Sequence, residues 1–319
     1  MIYTGLSAIN FLAEQVKKDD LAASSHWRKY HTGFQFTGDD FIGLQGFGNL
    51  EKPFRKLHLC AHLFLQLKFR RMGSMFPEFK KLDGIAKQIT QLQDRAYNLD
   101  FLRQTITLAF LKSQIPQKLA ENNIVWVIGD GFGSMTSLLL ESKSAACVVL
   151  INLTKTLMVD LWYLKLSMGE EAFEKSVDLV TEENDIKTIL EKTKGGDKTP
   201  RVIAIQALDH NLLDHVPASL VINIASMQEM DPSVIASYFT HIYNAAQYSD
   251  VAFYCCNREE KVLPDGVVAR FAQYPWKSAD HVLVDELCPW HQQYYLLKWP
   301  CYRPYDGPVR HQLRVVKKL

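Results

Sequence analysis

The chain lacks an excess of either charge, a cysteine framework and any long apolar run. Lysine and arginine number 36 against 35 aspartates and glutamates, a formal net charge of +1. No global field therefore draws the protein to nucleic acid or to an anionic membrane. The six cysteines, at 60, 147, 255, 256, 288 and 301, show no CxxC pair. That excludes the spacing of a disulfide scaffold or a zinc knuckle, and Cys147 and Cys255-Cys256, set in apolar runs, read as small core residues. No stretch approaches the ~18 apolar residues of a membrane span, and no signal peptide opens the chain. The expectation is a cytoplasmic protein with no integral membrane segment. Internal repeats and low-complexity tracts are also missing.

What is present is a large, apolar-rich chain of 319 residues, 47% hydrophobic and 22% charged, enough for one large domain or two ordinary ones. Two halves differ in pattern. Residues 1–118 show no convincing strand and read as a mostly helical N-terminal domain, a substrate or lid domain. Within it, Leu102, Ile106, Ala109 and Phe110 keep helical spacing until Pro116, and a loop from Gly33 to Gly48 separates earlier helices. The basic segment from Lys52 to Arg71 is most simply a solvated helix face. His58 and His62, at i and i+4, lack a third ligand, so no metal is expected.

From 119 to 319 strands and helices alternate. Ile124–Ile128, Cys147–Ile151, Val202–Gln206, Leu220–Ile224 and Val251–Cys255 are short and mostly apolar, as buried parallel strands are. Leu157, Leu161, Leu164 and Met168 form one helical stripe. Ile235, Tyr238, Phe239, Ile242 and Ala246 form another, opened by Asp231 and Pro232. Residues 169–200 read as a charged, largely helical insertion ended by Gly195-Gly196, a solvated decoration of the sheet. Two last runs, His281–Leu287 and Gln312–Val316, have no clear helix between them and predict an antiparallel final strand. The fold class expected is α/β, a Rossmann-like sheet of the class I methyltransferase type behind a helical N-terminal domain.

Gly129-Asp130-Gly131-Phe132-Gly133 joins the first strand to a helix, the place where glycines let a backbone approach a ligand. A dinucleotide fingerprint requires glycine at 134, where Ser134 stands. The G-x-G-x-G form is the one associated with S-adenosylmethionine, which has no pyrophosphate to seat. Ligands of such sheets lie beyond the carboxyl ends of the strands. The cofactor-binding candidates are therefore Gly129, Asp130, Gly131, Phe132 and Gly133, then Asn152, then Leu208 and Asp209, then Ala225 and Ser226. Val127 occupies the place two residues before the first glycine, and Asn152 the place of the ribose-binding residue, where carboxylates are usual. Asn152 serves equally as a cap of the next helix.

The string from Val221 to Met230, with Ser226-Met227-Gln228-Glu229-Met230 its most specific part, resembles the bacterial sugar O-methyltransferases of surface-polysaccharide gene clusters. Tyr238-Phe239, the glycine loop and the strand ending at Asn257 fit the same pattern, and Ser25-His26-Trp27 and the Pro-Trp dipeptides at 275 and 289 agree more weakly. The resemblance covers residues 120–260 well and the N-terminal third loosely. It implies a class I fold, S-adenosylmethionine as cofactor and a saccharide or glycan hydroxyl as acceptor; lipid-linked, nucleotide-linked and chain-end acceptors all stay open.

Methyl transfer to a hydroxyl needs alignment of oxygen, methyl and sulfur, and a base for the proton. Glu229, after the fourth strand, is the first candidate. His210, oriented by Asp209, and His281 are the others. Eight tyrosines and tryptophans between Tyr274 and Tyr305 could stack on sugar rings or cover the sheet edge. The rivals are an NAD-dependent oxidoreductase, disfavoured by Ser134 and Asn152, and an inactive methyltransferase-like scaffold, suggested by Val127 and Asn152. A nucleic-acid methyltransferase is disfavoured by the neutral charge and the lack of an N/D-P-P-Y tetrapeptide after the fourth strand.

Overall fold

The computed structural model describes residues 1–16, 21–38, 40–45, 56–194, 201–247 and 249–318. Its main sheet is built from β1 (Ile2–Thr4), β2 (Ile124–Ile128), β3 (Cys147–Asn152), β4 (Val177–Val180), β5 (Arg201–Gln206), β6 (Leu220–Ile224), β7 (Val251–Arg258), β8 (His281–Leu287) and β9 (Val309–Val316). Their spatial order is β1-β4-β5-β3-β2-β6-β7-β9-β8. The run from β4 to β7 is parallel throughout. Strand β9 lies antiparallel between β7 and β8, and β1 closes the opposite edge antiparallel to β4.

The central strands are apolar along their length because both faces are covered. Side chains alternate sides along a strand: Val125 and Val127 join one core, Trp126 and Ile128 the other. The first core is completed by helices α1 (Leu6–Gln15), α2 (Ser25–Tyr30), α3 (Lys56–Gly73), α4 (Phe79–Leu92), α5 (Leu99–Gln114), α6 (Ser134–Glu141), α7 (Thr154–Met168) and α8 (Glu170–Ser176). The second is covered by α9 (Glu183–Lys194) and α10 (Pro232–Ala245). The stripes expected on α7 and α10 are buried except at half-buried Met168, and Asp231 and Pro232 open α10 as anticipated, although the Asp231 side chain makes no capping bond.

Three expectations are corrected. Residues 1–118 do contain a strand of the main sheet: Ile2, Tyr3 and Thr4 pair with Val180, Leu179 and Asp178. The helices of that segment share one hydrophobic cluster with the sheet, Leu102, Ile106 and Leu82 lying with Val125, Leu138 and Leu157. The boundary expected at 118 thus falls inside a common core. The insertion 169–200 is not solvated decoration, for Phe173, Val177, Leu179, Ile186 and Ile189 are wholly buried and β4 extends the sheet. Its periodicity is faint in the sequence because only one face of a short charged helix is apolar. The Gly33–Gly48 loop contains a two-stranded turn, Gln35–Phe36 against Phe41–Ile42, whose phenylalanines pack edge-on to Trp162. Gly195-Gly196, Lys52–Arg55 and 46–48 of that loop lie outside the described residues.

Candidate functional site

A cavity of about 400 Å³ opens beyond the carboxyl ends of β2, β3, β5, β6 and β7. This is the crevice where the strand order reverses about β2, the usual ligand position in a doubly wound sheet. Its floor is the glycine loop. Gly129, Gly131, Phe132 and Gly133 all have positive φ, at 72°, 67°, 63° and 59°. The glycines serve different ends. A Cβ on Gly129 would stand 2.0 Å from Ser226 Oγ, and one on Gly133 would stand 2.9 Å from the Asp160 carbonyl oxygen. Both glycines permit close packing of protein against protein. A Cβ on Gly131 would meet nothing within 4 Å, so Gly131 is the residue at which the loop faces open space.

The loop's amides are already committed. Asp130, expected to contact a cofactor, turns its carboxylate into the start of α6, accepting from Met135 N–H at 2.7 Å and Thr136 N–H at 2.8 Å. Asp160 on α7 accepts from Gly133 N–H at 3.0 Å and from Asn152 Nδ2 at 2.8 Å. Ser134 N–H also points to Asp130, and Phe132 N–H to Asp160. Burial raises both carboxyls above their ordinary values, Asp160 further because Asp130 is beside it. Asn152 lines the cavity, but its amide is spent on Asp160 and on the Leu153 N–H at 3.0 Å; Leu153 is itself the N-cap of α7, so the capping bond expected of Asn152 does not form.

Of the other expected positions, Leu208, Ala225 and Ser226 line the cavity, whereas Gly133, Asp209 and His281 do not. His281 is exposed on β8 opposite Val315 and is removed from the site. The Asp209–His210 pair does not form, since Asp209 instead accepts from Gln206 Nε2 at 3.5 Å. His210 does reach the cavity, and its Nδ1 lies 2.8 Å from His241 Nε2, while His241 Nδ1 lies 2.7 Å from Asp214 Oδ1. The carboxylate fixes a proton on His241 Nδ1, so His241 Nε2 accepts from His210 Nδ1–H and leaves His210 Nε2 as the basic nitrogen. Neighbours in sequence point apart here because residues 207–215 form a 3₁₀ turn.

Glu229 is where the fourth-strand argument puts it, in the cavity wall. Its Oε1 lies 2.6 Å from Lys261 Nζ and 3.4 Å from His26 Nε2. Burial pushes the Glu229 carboxyl up, and the Lys261 and Arg258 charges oppose that. His26 is driven down to about 4 by burial and by the same two cations, so it is neutral. Ser24 Oγ donates to the Glu229 carbonyl at 2.5 Å, and Ala22, Ser24 and Trp27 complete the wall, bringing the N-terminal segment over the sheet. Beneath lies a buried amide network. Asn223 Nδ2 donates to the Ile128 carbonyl, Asn257 Nδ2 donates to Asn223 Oδ1, and Asn257 Oδ1 accepts from Gln228 N–H, each within 3.0 Å. These bonds hold Ala225 at φ 57° in the turn.

The remaining wall comes from residues with no motif to announce them. Arg95, Gln104 and His291 line the cavity, and buried Arg95 Nε, Gln104 Oε1 and His291 Nε2 have no hydrogen-bond partner among the described residues. Of the eight C-terminal aromatics only Tyr305 lines it. Trp290 is instead packed in the core with its N–H donating to Thr107 Oγ1 at 3.0 Å, and Trp276 packs on Phe239 and Phe253. His62 Nδ1 lies 3.0 Å from Tyr295 Oη, and His58 is exposed. Among the described residues, Cys256, Cys288 and His291 bring three donor atoms within 4.8 Å, but burial raises the Cys288 thiol and opposes the thiolate a metal needs.

No family model matches the chain, and no curated protein does. Solved structures with a partial likeness include a magnesium protoporphyrin IX methyltransferase from Synechocystis PCC 6803 with bound S-adenosylmethionine. It is 10% identical, with 68% of this chain and 79% of that one covered and a TM-score of 0.36. A SAM-dependent methyltransferase from Leishmania major is 12% identical, covering 68% and 71%, at a TM-score of 0.35. A protein solved in work on conversion of a disulfide bond into a thioacetal group during echinomycin biosynthesis is 10% identical, covering 66% and 81%, at 0.38. Likenesses this distant carry no argument about cofactor, substrate or reaction.

Proposed function

We propose that the chain is an S-adenosylmethionine-dependent O-methyltransferase acting on a sugar hydroxyl. The observation that carries the cofactor reading is the commitment of five consecutive amides, from Phe132 to Thr136, to Asp130 and Asp160. A dinucleotide's pyrophosphate is ordinarily seated on such helix N-terminal amides. Here it would find the donors filled and two buried acids beside them, whereas a sulfonium cation has no need of those donors. The antiparallel β9 between β7 and β8 supports the same choice over a dinucleotide fold. The residues present fit an adenosyl group: Gly131 leaves space at the floor, and Ile151, Leu153, Ala207 and Leu208 offer apolar contact for a base.

Bound there, S-adenosylmethionine supplies an electrophilic methyl group. The chain's part is to position a hydroxyl and take its proton. Glu229 suits the second task because Lys261 favours its ionised form in a buried setting, while neutral His26 adds no competing charge. The sugar acceptor rests on the resemblance of residues 221–230. It is supported by a wall that mixes the aromatic Trp27, Tyr238 and Tyr305 with the amides of Asn98, Gln104 and Gln228. The segment 1–118 would then act as the substrate-covering part, through Ala22–Trp27 and Arg95–Gln104.

Calorimetric titration with S-adenosylhomocysteine and with NAD tests the reading. Binding of the first and not the second is expected. Binding of NAD alone would make the protein an oxidoreductase candidate, and binding of neither would favour the inactive scaffold.

A further inference from the structure

We infer that Arg95 is the carboxylate receptor of the cavity and takes the α-carboxylate of the amino-acid tail of the adenosyl ligand, an inference that rests on the cofactor reading above. Arg95 precedes α5 and is only 7% exposed, yet among the described residues it has no ion-pair partner. Its Nε is unpartnered, and Nη1 has only a long bond of 3.4 Å to Gln93 Oε1. The guanidinium lies 4.1 Å from the ring centre of Phe132 and 5.0 Å from that of Tyr163, so it is held over the glycine loop by aromatic faces.

A buried guanidinium without a carboxylate is costly, and burial pulls Arg95 down to about 10. It still carries its charge at neutral pH. Asp100, Asp130 and Asp160 act on it through space, but Asp100 is bonded to Arg103 and the other two to backbone amides and Asn152. The cavity that Arg95 lines is therefore where its counter-ion can enter. The other arginines of the wall are better provided for. Arg103 bonds Asp100 and the carbonyls of Trp290 and Gln293, and Arg258 bonds Asp306. Because the amides of 132–136 are withdrawn from the floor, an anionic tail resting there has Arg95 as its available strong donor.

The full chain is titrated with S-adenosylhomocysteine and with 5′-methylthioadenosine, which keeps the adenosyl thioether and lacks the amino-acid carboxylate. Arg95→Gln is expected to weaken S-adenosylhomocysteine ~10- to 100-fold and methylthioadenosine by less than ~3-fold. Equal losses for the two ligands, or an unchanged affinity for S-adenosylhomocysteine, overturn the inference. Wild-type protein that binds neither ligand would overturn the cofactor reading itself. Should Arg95→Gln fail to fold, Arg95→Lys carries the test, since it keeps the charge and loses the planar fork. A loss confined to S-adenosylhomocysteine supports the inference, and a loss shared by both ligands overturns it.

Discussion

The two sides of the cavity are built on opposite principles. On the glycine-loop side polar groups satisfy one another: Asp130 and Asp160 hold the amides of α6, and Asn152 ties Asp160 to the next strand. On the facing side, groups reach the cavity incompletely satisfied, Arg95, Gln104 and His291 among them, and Glu229 sits between Lys261 and His26. The first side is architecture that a ligand finds already made. The second holds the charge and hydrogen-bonding capacity that a ligand would use. The motif visible in sequence therefore marks the site's frame, and its chemistry lies largely elsewhere.

Substitutions on the two sides can break this contrast. The largest effect is expected at Glu229→Gln, which should lower methyl transfer by about 10²- to 10⁴-fold while S-adenosylhomocysteine affinity measured by calorimetry changes less than ~3-fold. Near-normal turnover would remove Glu229 as the base. Gly129→Ala forces a Cβ against Ser226 Oγ at 2.0 Å with φ at 72°. It should cost about 2–4 kcal/mol in urea denaturation. Gly131→Ala, at φ 67° with open space around it, should cost only about 1 kcal/mol. Any loss of cofactor affinity should be larger there than its loss of stability suggests. Equal costs at 129 and 131 would show that the two glycines do not differ as described.

Acid should also act unevenly. His26 and His31 are held down to about 4, below the ordinary 6.5, mainly by burial. The unfolded chain then binds protons that the folded chain refuses, so stability falls as pH drops from 6.5 toward 4. The loss approaches about 3 kcal/mol for each histidine and levels off below that window. A His26→Gln, His31→Gln double variant should flatten the measured stability–pH curve over the same interval. The smallest effect is expected at His281→Ala, within twofold of wild type in turnover, because His281 is exposed on β8 away from the cavity.

Much of the α/β half was legible because its strands are buried on both faces and read as apolar blocks, and because helices α7 and α10 keep their stripes. The five strands Ile124–Ile128 through Val251–Arg258 match the expected runs to within a few residues. Strand β1 was hidden by its length of three residues at an edge, where one partner strand and a partly exposed face leave no period to detect. Strand β4 was hidden inside a charged segment. In the site, Glu229 could be placed by counting from the end of β6. Arg95 and His291 could not, since neither lies in a motif and each acquires its role from burial. The Asp214–His241–His210 chain was equally out of reach, because its members come from two elements that only packing brings together.

Periodicity and backbone freedom are local properties, so the alternation of elements, the glycine turn at the end of the first central strand and the acid that follows the fourth are written in the chain itself. Which polar groups remain for a ligand emerges only once the elements have packed. That outcome depends on which donors the buried carboxylates claim first, and hydrogen bonds between residues distant in the chain are settled by packing.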